Sequence, residues 1–223
     1  MRRLAAALLC GLAACAAPAA RRFRDDFSVR RPARCVRDGG RLGRWAVLST
    51  GFGCVRQAPE GWLEASVMPS VKSGETHAFL LTGPRAAAPF TLTARLSTVE
   101  RTRAVTAAND WEAAWLVWDF ADSRHFYYFV ARPGGWELGK RDPAYLGGQR
   151  FLASGTDPVF PVGSWARVSV RQESDGRLIV NVDGRVVAEF LDTERPYRAG
   201  RIGLYGEDCT ARFDDVELNS PGT

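Results

Sequence analysis

Apolar and polar residues alternate along most of the chain after residue 22, and helical spacing is almost absent. Residues 90–97, 167–171 and 178–183 each place apolar side chains at every second position. This period is typical of half-buried β-strands, because successive side chains point to opposite faces of a sheet. Asp183 and Gly184 separate two such runs, and this dipeptide favours a type I′ hairpin turn. The pattern therefore predicts antiparallel strands.

The remaining chain divides into further short runs bounded by Gly, Pro, Asp and Asn. Strands are predicted at residues 45–49, 54–57, 62–68, 76–82, 112–120, 125–132, 136–141, 201–206 and 212–218. Loops are predicted at residues 29–43, 83–89, 101–110 and 142–163. So many short strands in one chain predict an all-β fold with two packed antiparallel sheets.

The first twenty residues are typical of a bacterial export signal, with Arg2 and Arg3 before an apolar run over residues 4–14. That run is shorter than the ~20 residues that span a bilayer. Cys15 ends a Leu-Ala-Ala-Cys segment that resembles a lipobox, where cleavage precedes the cysteine and its thiol is lipidated. The alternative is ordinary cleavage after the small residues 17–20. We expect an exported envelope protein, with residues 1–20 as the signal and residues 21–223 as one sandwich domain, touching a membrane only through a lipid anchor.

Charge narrows the class of partner. The chain has a net charge of +5, from 30 basic and 25 acidic residues. Lys72 and Lys140 are its only lysines, and the arginines are interleaved with Asp and Glu. Because no long basic run occurs, nucleic acid is excluded as the expected partner. The oligomeric state is left open.

Three cysteines remain beyond the signal, namely Cys35, Cys54 and Cys209. Disulfides persist in the oxidising compartments that exported proteins reach. Cys35 and Cys54 are the closest pair, and closing their loop would contribute about 3 kcal/mol. The alternative is that all three are buried thiols.

Several segments together resemble the concanavalin-A-like lectin and glucanase superfamily. They are Asp25 to Phe27, the Trp45 strand, residues 115–128, Lys140, residues 182–185, residues 200–204 and the closing residues 213–216. The resemblance covers nearly the whole chain after the signal, and it is nearest to laminin-G-like modules and the 3-keto-disaccharide hydrolase domain. It implies a jelly-roll sandwich and a carbohydrate ligand, but it does not specify an activity.

The acidic motif of related enzymes is missing from the chain. Family-16 glycoside hydrolases carry Glu-x-Asp-x-x-Glu on one strand, which places nucleophile and acid on the same face. Here Asp110 with Glu112, and Glu207 with Asp208, lack both the third carboxylate and the spacing. We therefore expect a non-catalytic carbohydrate-binding protein without a cofactor, whose partner is a polysaccharide or other glycan. The alternatives are a glycoside hydrolase or polysaccharide lyase, and a structural envelope or adhesion module.

Residues 109–141 are the richest in groups that bind sugars. Sugar rings stack on aromatic faces, while their hydroxyls need carboxylates, amides or basic side chains. The candidate ligand-binding residues are Asn109, Asp110, Trp111, Trp115, Tyr127, Trp136, Lys140 and Arg141. Large aromatics also fill sandwich cores, and alternation requires about half of them to point inward.

Catalysis, if present, would draw on Glu112, Asp119, His125 or Tyr127, because a histidine or tyrosine beside a carboxylate can exchange a proton. His77 and His125 are the only histidines. A lone histidine in a strand is also a common structural residue.

The two chain ends carry acidic residues that would meet if the first and last strands pair, as they do in the superfamily. Asp214 and Asp215 break the alternation of the last strand, which predicts a bulge or a turned-out carboxylate. With Asp26, and Asp25 beside it, they could supply oxygens to a structural calcium ion. The alternative is a pair of charged edge strands that discourage aggregation.

Overall fold

The computed structural model describes residues 21–28 and 34–221, which form sixteen β-strands and one short 3-10 turn at Leu146–Gly148. The strands are β1 (Arg21–Asp25), β2 (Arg41–Leu42), β3 (Trp45–Thr50), β4 (Cys54–Gln57), β5 (Leu63–Ser66), β6 (Ala78–Ala87), β7 (Phe90–Arg101), β8 (Ala114–Asp122), β9 (His125–Arg132), β10 (Gly135–Arg141), β11 (Gln149–Gly155), β12 (Ala166–Gln172), β13 (Arg177–Val182), β14 (Arg185–Leu191), β15 (Ala199–Glu207) and β16 (Cys209–Ser220). Among these residues, no helix has the length and apolar character needed to cross a membrane.

The strands pair into two antiparallel sheets of eight strands each. The back sheet has the order β14-β13-β12-β7-β16-β5-β4, with β1 also paired to β16. The front sheet has the order β11-β10-β9-β8-β15-β6-β3-β2. This confirms the predicted all-β sandwich, and the pairing of β1 with β16 confirms that the first and last strands meet.

The hydrophobic core lies between the two sheets, as alternation requires. In β8, Leu116 and Trp118 point into this core, whereas Trp115 and Val117 belong to a second buried cluster on the opposite face of the front sheet. Burying each such large side chain contributes about 1.5–3 kcal/mol. The front sheet is therefore apolar on its outer face as well as on its inner face.

Two local predictions are confirmed. Asp183 and Gly184 join β13 to β14 with φ angles of 48° and 89°, both positive as a type I′ turn requires. The last strand shifts register between Asp214 and Glu217, and Asp215 has a φ of 47°, so the predicted bulge is present.

The cysteines follow the disulfide prediction rather than the thiol alternative. Cys35 and Cys54 are bonded, and the bridge joins the segment before β2 to the start of β4. Cys209 is free and fully buried, and burial raises the pKa of its thiol well above the ordinary value.

Three predicted loops are wrong in part. The short strand β2 (Arg41–Leu42) lies within the predicted loop 29–43. Strand β6 continues through residues 83–87, because Gly83 and Pro84 lie where the register with β15 shifts and no ladder hydrogen bond is needed from proline. Strand β11 lies within the predicted loop 142–163. It is an edge strand without a fully buried residue, so its alternation is too weak to read from the sequence. The export signal and Cys15 lie outside the described residues and stay predictions, as does the domain boundary at residue 21.

Candidate functional site

A row of side chains crosses the outer face of the front sheet. Cross-strand register places Glu137 of β10 beside Val130 of β9, then Trp115 of β8, Tyr205 of β15 and Leu80 of β6. These residues share one face because they occupy paired positions on neighbouring strands. Glu137, Trp115, Tyr205 and Leu80 line a surface pocket, and Val130 is fully buried beneath it.

This aromatic pocket has a volume of about 580 Å³. Its lining is Leu80, Trp111, Trp115, Ser123, Phe126, Arg132, Glu137, Arg141, Gln149, Phe151, Tyr205 and Glu207. Trp111 and Phe151 are 46% and 66% exposed, so they form walls that solvent reaches. Apolar walls with a few polar groups are typical of sites that bind small molecules and sugars.

Aromatic rings pack against one another at the pocket floor and directly beneath it. The Trp115 ring centroid lies 4.8 Å from that of Tyr128 and 5.0 Å from that of Tyr205. The Trp115 indole nitrogen donates a hydrogen bond to the Trp111 carbonyl oxygen at 2.8 Å. Its polar group is therefore already paired, which leaves the indole as an apolar surface.

The absence of a side chain at Gly139 makes room for the Tyr128 ring, which lies over β10. A Cβ atom at Gly139 would be 2.2 Å from the Tyr128 hydroxyl oxygen and 2.4 Å from the adjoining ring carbon. Because glycine has no side chain, Tyr128 can extend across β10 and donate its hydroxyl to Glu137 at 2.9 Å. The Gln149 amide in turn donates to the Tyr128 hydroxyl.

Two carboxyl groups that line the pocket, those of Glu137 and Glu207, have raised pKa values. Burial raises the pKa of Glu137, although the hydrogen bond from Tyr128 opposes that shift. Burial also raises the pKa of Glu207, which accepts a hydrogen bond from the Tyr205 hydroxyl. Arg141 and Arg132 line the same pocket, and Arg132 lies 3.9 Å from Asp110 at its rim. The pocket therefore offers both donors and acceptors beside apolar rings.

Of the predicted ligand-binding residues, Trp111, Trp115 and Arg141 line this pocket, and Asp110 contacts its rim through Arg132. Asn109 lies beside it and donates its side-chain amide to Glu112 at 2.7 Å. The other three point away from the pocket: Trp136, Tyr127 and Lys140 are all buried on the inner side of the front sheet. Trp136 stacks on Phe129 with ring centroids 6.1 Å apart.

Lys140 and Tyr127 belong to a closed polar cluster inside the sandwich. The Lys140 ammonium lies 2.7 Å from Asp192, and the Tyr127 hydroxyl donates to the same carboxylate at 2.5 Å. Although burial alone would raise it, the hydrogen bonds from Lys140 and Tyr127 hold the pKa of Asp192 below its ordinary value. Both Lys140 and Asp192 are fully buried, so this pair ties β10 to the segment after β14.

The predicted catalytic residues are not brought together. Glu112 is fully buried and paired with Arg103, while seven residues of extended chain place Asp119 about 20 Å away. Asp119 accepts a hydrogen bond from Gln172 at 2.8 Å, and burial raises its pKa to about 6. His125 contacts Asp122 at 2.9 Å in a surface turn. Tyr127 belongs to the closed cluster. His77, the other histidine, contacts the Met68 carbonyl oxygen.

The acidic residues at the chain ends face arginines. Arg24 lies 3.8 Å from Asp26 and 3.7 Å from Asp215, and Arg95 lies 3.5 Å from Asp214. Within the described residues, no three His, Cys, Asp or Glu side chains are grouped to hold a metal ion. Calcium binding at Asp26, Asp214 and Asp215 stays a prediction, which a melting temperature measured with and without excess chelator would test.

Several pocket residues were missed from the sequence. They include Glu137, Gln149, Phe151, Tyr205 and Glu207. One signal was available in residues 203–207, where Gly203, Tyr205 and Glu207 alternate with Leu204 and Gly206 and so share a face. Gln149 and Phe151 were hidden by the weak pattern of β11.

Comparison with known proteins defines the class of fold. No protein-family model and no curated protein matches the chain. Among solved structures, it is similar to carbohydrate-binding module CBM66 from Bacillus subtilis, at 18% identity and a TM-score of 0.60, covering 85% of this chain and 100% of that one. It is also similar to β-agarase B from Zobellia galactanivorans, at 12% identity and a TM-score of 0.59, covering 92% and 95%.

A third similar structure is a protein of unknown function with a galectin-like fold from Bacillus subtilis, at 14% identity and a TM-score of 0.57, covering 90% of this chain and 96% of that one. Identities this low establish the fold alone. The chain is thus a jelly-roll sandwich of the concanavalin-A-like kind, and its function has to be argued from the aromatic pocket.

Proposed function

We propose that the protein binds a carbohydrate in the aromatic pocket of the front sheet and does not cleave it. The observation that carries this proposal is the apolar floor of Trp115, Phe126 and Tyr205, which lies between the solvent-exposed walls Trp111 and Phe151. The apolar faces of sugar rings stack on such surfaces, and hydroxyl groups pair with carboxylates, amides and guanidinium groups around them. The similar structures named as a carbohydrate-binding module and as β-agarases support the same class of ligand.

The spacing of the pocket carboxylates favours binding over hydrolysis. Glu137 lies on β10 and Glu207 on β15, and two strands of the front sheet lie between them. Three strand spacings amount to about 14 Å across the sheet. Glycosidases generally hold their two carboxyl groups about 5–9.5 Å apart. Each of these two glutamates is moreover held by a tyrosine hydroxyl.

A hydrolase or lyase is the second candidate, and the raised pKa values of Glu137 and Glu207 favour it. A carboxyl group with a raised pKa gives up its proton less readily and is better suited to act as a general acid. Under this candidate, product release from a polysaccharide would require one of these two glutamates.

Export to the cell envelope is also part of the proposal. The Cys35–Cys54 bridge supports an oxidising compartment, because disulfides are rare in reducing ones. The signal-like residues 1–20 support the same conclusion, with Cys15 as a lipidation site or with a secreted product as the alternative. Labelling with a radioactive fatty acid in the wild type and in Cys15→Ser separates the two.

The main experiment measures retention and cleavage together. The full chain is incubated with glucans, uronates, chitin and peptidoglycan, and both bound protein and released reducing or unsaturated ends are measured. We expect retention on at least one polysaccharide without product. Product formation that Glu137→Gln or Glu207→Gln abolishes would establish the enzyme, and no retention on any polysaccharide would favour a structural envelope role.

A matched pair of variants tests whether the carbohydrate binds in the aromatic pocket. Phe151 lines the aromatic pocket and is 66% exposed, whereas Phe52 lies outside it in the turn between β3 and β4 and is 78% exposed. We expect Phe151→Ala to weaken retention about tenfold, the equivalent of about 1.4 kcal/mol of stacking. Phe52→Ala should bind as the wild type does. Equal effects of the two variants would place binding elsewhere.

A further inference from the structure

Four arginines form a second concave site on the front sheet. Arg41 and Arg44 come from the β2–β3 hairpin, Arg85 from β6 and Arg201 from β15. They line two adjoining cavities of about 660 Å³ and 260 Å³. The smaller cavity lies on the outer face of the front sheet, whereas the larger one is also lined by Arg21 and Arg22 of β1 and by residues of β16 in the back sheet. Within the part of the chain that the structure describes, neither cavity has an acidic residue in its lining. We call these four residues the arginine site.

None of the four lies within 4 Å of a carboxylate among residues 21–28 and 34–221, although Arg85 acts at longer range on the buried Asp119 and opposes the rise in the pKa of that carboxyl. Arg201 donates to the Gly83 carbonyl oxygen at 3.0 Å, and the Arg44 guanidinium lies 5.2 Å from the centre of the Phe23 ring. Other arginines of the chain, such as Arg95, Arg103 and Arg150, do contact carboxylates. The arginine site therefore keeps its positive charge available.

Arg85 and Arg201 are also direct cross-strand partners. Like charges at directly opposed positions destabilise a sheet, because the two side chains are forced close together on one face. A bound anion would remove that repulsion. Guanidinium groups suit this role, since each can hold a carboxylate, sulfate or phosphate through two parallel hydrogen bonds.

The arginine site is continuous with the aromatic pocket. Phe120 lines the smaller arginine-rich cavity, and its ring centroid lies 5.8 Å from that of Phe126, which lines the aromatic pocket. Along β15, Arg201 precedes Tyr205 by four residues, or about 13 Å of extended strand. A short oligosaccharide can span that distance.

We infer that the arginine site binds an acidic group, a carboxylate or a sulfate, on a polysaccharide whose neighbouring ring stacks in the aromatic pocket. This inference rests on the proposed function and narrows its ligand to an acidic glycan. The favoured occupant is a glycan rather than an anionic membrane surface, because the two sites share one continuous face.

The test compares polysaccharides that differ in charge but share a backbone. Binding of the full chain is measured by calorimetry to polygalacturonate and its methyl ester, and to chemically sulfated agarose and unmodified agarose. We expect at least one acidic member to bind about tenfold more tightly than its neutral partner, and the difference to shrink as salt rises from 50 to 500 mM. No preference in either pair would overturn the inference.

Variants locate the charge recognition. Arg85→Gln/Arg201→Gln should bind the acidic member no more tightly than the neutral one. The control Arg167→Gln/Arg185→Gln removes the same charge from the back sheet and should keep the preference. An equal loss in both double variants would overturn the inference by showing that net charge alone is responsible.

The remaining outcomes distinguish a failure of this inference from a failure of the proposed carbohydrate-binding function. Binding to phosphatidylglycerol vesicles that needs Arg85 and Arg201, without preference for either acidic polysaccharide, would replace the glycan by a membrane surface. Acid preference that persists in Phe151→Ala with undiminished affinity would contradict the joint site. Neutral binding that depends on Phe151 without any acid preference would leave the proposed function intact while rejecting the acidic ligand.

Discussion

Strands β8, β9 and β10 carry two clusters of aromatic and charged side chains, one on each face of the front sheet. The outer cluster includes Trp115 and Glu137, which line the open aromatic pocket, and the buried Tyr128, which packs against Trp115 and donates a hydrogen bond to Glu137. The inner cluster includes Tyr127 and Lys140 and is closed by Asp192. Both use the same residue types from the same strands. The face to which a side chain points therefore decides whether it can meet a ligand or only another part of the fold.

The largest expected loss of stability comes from removing Lys140, the ammonium partner of Asp192 in the inner cluster. Lys140→Met leaves the buried Asp192 carboxylate without its ammonium partner, and breaking a buried pair costs about 3–5 kcal/mol. Because Arg150 still lies 3.4 Å from Asp192, we expect a loss of about 3 kcal/mol, at the lower end of that range. Urea unfolding measures the loss. Arg177→Met is the control, because its partner Glu189 is about half exposed and such surface pairs contribute less than about 1 kcal/mol. Similar losses of unfolding free energy in both variants would contradict the conclusion that the buried ion pair contributes more to stability than the exposed one.

A pH-dependent stability is expected from Asp119. Burial raises its pKa to about 6 in the folded protein, above about 3.9 for the unfolded chain. Between these values the folded protein binds the proton more tightly, so the free energy of unfolding rises as the pH falls from 7.5 to 4.5. The gain is about 2 kcal/mol. Urea unfolding at the two pH values measures this gain. Asp119→Asn should lose it, whereas Asp110→Asn, at an exposed position, should keep it.

Crowding the outer cluster should have a smaller effect on stability and a clear effect on binding. Gly139→Ala forces Tyr128 away from β10, at a cost of about 1–2 kcal/mol for overpacking. Displacing Tyr128 disturbs the pocket floor, so glycan retention should fall as well. Gly134→Ala is the control, because its nearest neighbour would lie 3.7 Å away. Unchanged retention in Gly139→Ala would mean that Tyr128 does not hold Trp115 and Glu137 in their binding positions.

The smallest effect on stability is expected from the pocket wall. Trp111 is 46% exposed, and its carbonyl oxygen rather than its side chain holds Trp115. Trp111→Ala should therefore change the free energy of unfolding by less than about 0.5 kcal/mol, while glycan affinity falls about tenfold. Leu146→Ala, on a fully exposed side chain outside the pocket, should change neither quantity. A large loss of stability in Trp111→Ala would place this residue in the fold rather than in the site.

Much of the candidate site could be predicted as a region, but not as a set of residues. The segment 109–141 was predicted to carry ligand contacts, and Trp111, Trp115 and Arg141 lie in the pocket. Lys140 and Tyr127 were assigned to the ligand as well and are buried instead. A period of two separates neighbours onto opposite faces, but it does not state which face is covered by the other sheet.

The remaining pocket residues come from strands that are distant in the chain. Tyr205 and Glu207 of β15 lie beside Trp115 only because β15 pairs with β8. The arginine site likewise unites the β2–β3 hairpin with β6 and β15. A single sequence has no local signal for such pairings, since they depend on strand order in the sheet.

The sequence by itself determined the all-β class, most strand positions, the Asp183-Gly184 hairpin and the bulge at Asp214 and Asp215. These features depend on alternation and on backbone preferences of single residues, which are local properties. Only the tertiary structure decided which aromatic residues meet solvent and which charges are paired inside. That outcome depends on how the two sheets pack and on strand register, where a shift of one residue would exchange the two faces.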